Sequence, residues 1–408
     1  MATPRIHRGL DWLNFFVADL QTGFGPFIAV FLTTHKWTQL DIGLALSVGS
    51  IASMAAQVPA GVLVDAMPNK RLAAGIALAG ICTAAMLIGF LPQLAPVLLA
   101  QALHGMASCM LNPSIAALTL GLVASSAVAA RFGRNAGFAA AGAAAGAMLM
   151  GAVGSFLSNR AVLFLAAALC LPALWMLRHL NHSGRSAAAP AEEPAMILVP
   201  PDEPWRGVLA DRRLLAYLGC IVLFHFANAA MLPLAAIEVT KRVGNDANLV
   251  IAACILVPQI IVALLAARVG SWAQLWGRKP ILLLGFCALP ARALLLAYVD
   301  HPALIVVVQA LDGLGASAFG VMTPLIAADL SGNGGRFNLR MGLFGLAVGL
   351  GATFSTSVAG WAASTYTSDT AFHLLAVAGA AAVLMVAFAM PETRPRQTAP
   401  ARPATSAA

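Results

Sequence analysis

The sequence predicts an all-α membrane protein: twelve transmembrane helices in two pseudo-symmetric six-helix bundles. Three observations carry that prediction. The 408 residues are 60% hydrophobic and only 10% charged, where a soluble domain has about 25% charged residues. The apolar residues gather in twelve runs, each near the ~20 residues that a helix needs to cross a bilayer. Motifs within and between the runs repeat at offsets of 205–209 positions, so the second half copies the first.

In chain order the spans fall near residues 11–33, 41–65, 71–91, 95–120, 134–158 and 160–180, then 212–240, 247–272, 279–299, 303–330, 337–361 and 370–390. The organisation that follows is a first half over 1–180, a linker over 181–211, a second half over 212–391 and a tail over 392–408. The linker is rich in Ala, Pro, Glu and Arg, a composition that cannot build a packed core. The tail is Pro- and Arg-rich from Pro391 onward and is expected to be disordered. The first apolar run is too long for a cleaved signal peptide and contains Asp19 and Gln21.

Most of the 24 lysines and arginines lie at one set of span ends, while Lys36, Arg160, Lys241 and Arg242 lie at the other and Arg292 is inside a span. Clusters placed this way are topology signals and not the continuous basic stripe of a nucleic-acid binder. They predict cytoplasmic termini and a cytoplasmic linker in a multi-pass protein of the cytoplasmic (inner) membrane. All six cysteines sit in apolar runs without a CxxC and read as packing residues. No phosphate-binding loop or nucleophile elbow occurs, and His179 and His182 lack further metal ligands. The chain therefore reads as a non-enzyme without metal or cofactor. It is expected to work as a monomer in the lipid bilayer, with a small-molecule substrate and protons as partners.

The repeat is clearest at four places. Gln101-Ala-Leu-His104-Gly105 matches Gln309-Ala-Leu-Asp312-Gly313, and Arg131-Phe132 with Gly137 matches Arg336-Phe337 with Gly342. Pro26 falls opposite Pro233. The loop that begins Gly61-Val-Leu-Val-Asp65 and ends Lys70-Arg71 falls opposite the one that begins Gly270 and ends Gly277-Arg278-Lys279. Parallel six-helix halves with a site at their interface are a transporter architecture.

Together, these spans, the linker and the paired loops resemble the major facilitator superfamily over nearly the whole chain. The family's loop motif is glycine, three residues, Asp, a cation, any residue, Gly and two cations. The first loop keeps Gly61, Asp65 and Lys70 but has Ala66, Pro68 and Asn69; the second keeps Gly270, Gly277, Arg278 and Lys279 but has Gln274 and Leu275. The resemblance implies alternating access, with a cytoplasmic gate formed by Gly61, Asp65, Lys70, Arg278, Lys279 and Arg340. Asp65 ends a helix whose C-terminus is already negative, so it needs the N-terminus of another helix. In the family's architecture the start of the eleventh span, Arg336 to Arg340, lies opposite.

Polar residues inside spans are expensive in lipid and are functional candidates. The resemblance puts spans one, four, seven and ten around a central cavity. Asp19, Asp312 and His104 are then the proton-coupling candidates, because a carboxyl in a dehydrated cavity can load and release a proton near neutral pH. Phe15, Gln21, His225, Asn228 and Phe319 are the substrate-binding candidates. Arg292 reads as an ion-pair partner of Asp312, and Glu238 as interfacial beside Lys241 and Arg242. The phenylalanines of these spans suit an amphipathic solute better than a sugar. The expected activity is proton-coupled export of a drug or metabolite, with an uptake permease or facilitator as the alternative and a membrane enzyme or sensor on the same fold as a remote one. Drug-exporting antiporters of the superfamily carry a Gly-Pro signature in span five and an arginine in span four; here span five has glycines without the proline, and Gln101 stands at the arginine's place.

Overall fold

In the computed structural model, residues 4–180, 204–243, 247–332 and 335–395 are described. Every long element among them is helical. The first half comprises α1 (Pro4–Thr34), α2 (Gln39–Ala66), α3 (Lys70–Phe90), α4 (Leu94–Leu122), α5 (Val128–Phe156) and α6 (Asn159–His179). A short helix α7 (Trp205–Ala210) precedes the second half, which comprises α8 (Arg212–Asn228), α9 (Met231–Val243), α10 (Ala247–Trp276), α11 (Arg278–Tyr298), α12 (Pro302–Val308), α13 (Ala310–Ser331), α14 (Phe337–Thr365) and α15 (Ser368–Phe388). Among the described residues, eleven segments are long and apolar enough to cross a membrane, with α8 and α9 counted as one and α12 and α13 as another. The 31-residue α1, packed on α5 and α6, completes the first bundle.

Local chemistry sets the boundaries. Thr38, Asn69, Ser158, Asp211 and Thr367 each place a side-chain oxygen on a free N–H of the helix that follows, the ordinary N-cap arrangement. Apolar side chains cover the outside as well as the core: Phe156 is 86% and Phe388 85% exposed. Water would not tolerate that surface, whereas lipid is its natural solvent. Stacked Trp272 and Trp276 lie at the end where α1 starts and α15 finishes, and Trp361 meets Tyr366 at the opposite end, as interfacial aromatics do. The end where α1 starts is also where the basic clusters lie, and we call it the basic end.

Two expectations change here. The seventh and tenth spans are each interrupted, between α8 and α9 and between α12 and α13. Pro233 has no N–H to offer Ala229, and the N–H of Ala230 donates instead to Ser355 Oγ on α14 at 3.0 Å. In the tenth span the Gln309 N–H is shared between the carbonyls of Ile305 and Val306, a tightening that ends the first segment. The residues after Pro391 also differ from the disorder expected. Thr393 is buried and Glu392 is held by three backbone donors. The linker residues 181–203 and the tail beyond 395 lie outside the described residues, so the linker's expected irregularity is not addressed; its end, however, carries α7, whose Val208 is fully buried.

The halves meet along two seams at the basic end, α2 with α14 and α5 with α10. A Cβ on Gly61 would collide with the Asn338 carbonyl, and one on Gly342 with the Gln57 carbonyl. The second seam mirrors the first: Gly133 meets the Ala266 carbonyl and Gly270 meets the Ala129 carbonyl. The small residues of spans five and eleven thus let backbones touch directly.

Candidate functional site

At the basic end Asp65 closes the first seam. Its Oδ1 accepts from the backbone N–H of Asn338 (2.9 Å) and from Asn338 Nδ2 (2.8 Å), and its Oδ2 accepts from the N–H of Leu339 (2.8 Å). The carboxylate therefore sits on the N-terminus of α14, where unpaired N–H groups and the helix dipole favour negative charge. Lys70 works within its own loop. Its Nζ donates to the carbonyls of Val64 (2.7 Å), Asp65 (3.1 Å) and Met67 (2.8 Å), satisfying the C-terminus of α2. Arg340, expected beside Asp65, donates to Ser331 Oγ and to the Gly335 carbonyl.

The twin loop is clamped inside the second half. Arg278 donates to Asp329 through Nε (2.7 Å) and Nη2 (3.0 Å), a buried two-point pairing. The Glu392 carboxylate accepts from the N–H groups of Arg278 (2.9 Å), Lys279 (3.1 Å) and Arg394 (2.8 Å). Burial alone would raise this carboxyl, but those backbone donors and the Arg278 charge outweigh it and hold Glu392 below the usual glutamate range. Gly277 has φ +102°, and a side chain there would run into the same carboxylate. On the first half, Asp11 is buried between Arg131 and Arg134, and Arg131 continues to Asn135 and Thr119.

Inside the second half the polar centre is Arg292 on α11, which is 1% exposed. Its Nε and Nη2 donate to Gln309 Oε1 (3.1 and 2.5 Å), and its Nη1 donates to Asn228 Oδ1 and Asp312 Oδ1 (both 2.6 Å). Asn228 is the last residue of α8, and Gln309 is the residue between α12 and α13. One guanidinium thus bridges both helix interruptions. Phe319, two turns along α13 from Asp312, stacks on Phe224 at 4.9 Å and meets the edge of His225 at 4.9 Å. His225 Nε2 is buried without a partner. On the first-half wall His104 lies 3.4 Å from Ser108 Oγ, and Phe15 joins Trp12 and Phe16 in an aromatic cluster. Asp19 and Gln21 lie on α1, but their side chains are outside the described residues. At the opposite end Glu238 accepts from Ser368 and Arg242 pairs with Asp300.

The model of the major facilitator superfamily matches residues 12–269 and 221–406. The chain belongs to the major facilitator superfamily. An uncharacterised MFS-type transporter of Mycobacterium tuberculosis, found in two strains, is 37% identical over 408 residues, with 96% of this chain and 94% of the relative covered. Among solved structures, the human organic anion transporter MFSD10 aligns with a TM-score of 0.71 at 16% identity, covering 94% of this chain and 100% of its own. FucP in the outward conformation aligns with a TM-score of 0.70 at 14% identity, covering 94% and 98%. This MFS chain is a multi-pass membrane transporter and not an enzyme, and secondary transport is its activity.

Sequence reading overlooks Asn338, Gln309, Asp11, Asp329 and Glu392. Gln309 has a signal, since the repeat pairs it with Gln101, but it serves only to align the halves. The partners of Arg278 lie 51 and 114 positions away, and nothing local announces them.

Proposed function

We propose that this chain is a proton-coupled secondary transporter of a small amphipathic solute in the cytoplasmic membrane, with its basic end, both termini and the linker on the cytoplasmic side. The observation that carries the proposal is the pair of a buried Arg292 with a partly exposed Asp312, on the helices that also bear the stacked Phe224 and Phe319 and their neighbours. Buried ionisable groups in a transporter's midplane mark coupling paths. Cysteine labelling from outside intact cells, in a version lacking native cysteines, should mark position 36 and leave position 192 untouched; the reverse would overturn the orientation.

In the first form of the proposal the solute is a drug or metabolite and leaves as a proton enters, with Asp19 as the carrier and Asp312 and His104 next in rank. Phe15, Gln21, His225, Asn228 and Phe319 supply the walls of the solute site. A second form, in which proton and solute move together and the chain works in uptake, is favoured by the Arg292–Asp312 pair. Neutralising Asp312 strands a buried guanidinium, and an arriving anion would restore its balance. Transport in proteoliposomes under an imposed pH gradient separates the two. Exchange predicts solute moving against the proton, and co-transport predicts accumulation with it. Asp19→Asn should abolish uphill movement in the first form while solute exchange without a gradient persists. Gradient-driven transport that survives Asp19→Asn, Asp312→Asn and the double variant would end the carboxylate mechanism.

A further inference from the structure

The guanidinium of Arg292 and the carboxylate of Asp312 are unequally placed. The arginine side chain is 2% exposed and the aspartate side chain 24%. Asp312 therefore reaches open space and the guanidinium does not. Of the three acceptors on Arg292, Asp312 alone carries charge, and it is held through Oδ1 by a single Nη1 donor. The uncharged acceptors, Asn228 and Gln309, take the remaining bonds. Because Asn228 turns its Oδ1 to Arg292, its amide donors face away from the guanidinium. One turn back on α8, His225 has a buried Nε2 without a partner and an edge against Phe319.

A carboxylate arriving from the open side would thus take the place of Asp312 on Arg292 Nη1, with Phe319 and His225 on the neighbouring turns for the rest of the molecule. The buried arginine needs one negative charge at all times, since removing one partner of such a pair is strongly destabilising. It does not need that charge to come from the protein.

We propose that Arg292 is an exchangeable anion site: the carboxylate or other oxyanion of an amphipathic solute replaces Asp312 on the guanidinium, its apolar body against Phe319 and His225, while a proton neutralises Asp312. The balance is simple. The Nη1–H···Oδ1 bond to Asp312 breaks, one to the solute oxygen forms, and a proton delivered from the bulk as hydronium ends on the Asp312 carboxyl, leaving water behind. One anion and one proton enter the site together, so net charge there is unchanged. The transported species is an organic anion, and this step rests on the co-transport form above.

The test supplies the missing anion from outside. In purified Asp312→Ala, sodium benzoate at constant ionic strength should raise the melting temperature by about 3 °C or more. Benzamide, its uncharged analogue, should not. Wild type should respond much less, because Asp312 already occupies the site, and Asp312→Ala combined with Arg292→Met should not respond. If Asp312→Ala fails to fold, Asp312→Asn, which keeps an acceptor for Nη1, serves in its place. A benzoate effect no larger than that of benzamide, or an equal effect in the double variant, overturns the proposal. Melting requires no transport, so a chain that gains stability from benzoate yet moves no solute with protons would retire the coupling mechanism and leave the anion site standing.

Discussion

Asp65→Asn should reduce transport at least tenfold while leaving insertion and expression near normal. The substitution keeps the shape of the side chain but turns an amide donor toward the Leu339 N–H, which now donates to Oδ2 at 2.8 Å. It also removes the charge that the N-terminus of α14 favours. Hydrogen bonds to a charged acceptor contribute about 1.5–3 kcal/mol each; losing one at the seam shifts the balance between closed and open basic ends by roughly ten- to hundredfold. A cysteine at position 108, beside His104, should therefore label faster from the basic end in the variant. Unchanged flux together with unchanged labelling would show that the contacts of Asp65 with α14 do not govern opening.

The second large effect is on stability. Arg292→Ala should lower the melting temperature by about 10 °C, because breaking a buried ion pair costs about 3–5 kcal/mol and each kcal/mol is worth about 2–4 °C in a unit of about 150–250 residues, the size of the six-helix half that holds the pair. The loss is concentrated here because Asp312, Asn228 and Gln309 all lose their donor at once. Arg292→Met combined with Asp312→Leu should recover much of that stability without recovering transport, since a buried pair can be exchanged for apolar packing of similar volume. Thermal unfolding in detergent, beside flux in proteoliposomes, measures both. A single variant that melts within 3 °C of wild type would show that Arg292 does not hold the two interrupted helices together.

The bundle is legible in the sequence because lipid imposes a strong pattern: twelve runs of the required length, separated by cation clusters. Electrostatics also demands a helix N-terminus for Asp65, since a carboxylate at a helix C-terminus needs donors from elsewhere, and the family resemblance points to the start of the eleventh span. The role expected of Arg340 is filled by the N–H groups of Asn338 and Leu339 and the Asn338 amide. Backbone donors leave no mark in a sequence, whereas a cation is plainly visible there. The interruptions are hidden for a related reason. Pro233 stands out only as a repeat marker, while the Ala230 N–H at the break is satisfied by Ser355, 125 positions away. Glu392 reads as tail because Pro and Arg dominate its neighbours; its order comes from the start of α11, which no local pattern reveals. The side chains of Asp19 and Gln21 lie outside the described residues.

The paired glycine seams have a consequence for insulation. Where Gly61 meets the Asn338 carbonyl and Gly133 meets the Ala266 carbonyl, main chains touch with no side chain between them. Such a contact has no rotamers to flicker and no gap that a file of water could thread. The shut end should therefore block ions as well as solute, because a proton wire needs an unbroken row of waters. Nor can the seams come apart by moving single side chains in turn. Each rigid line of contact must separate along its length, which makes opening an all-or-none event and keeps a half-open, leaking conformer rare.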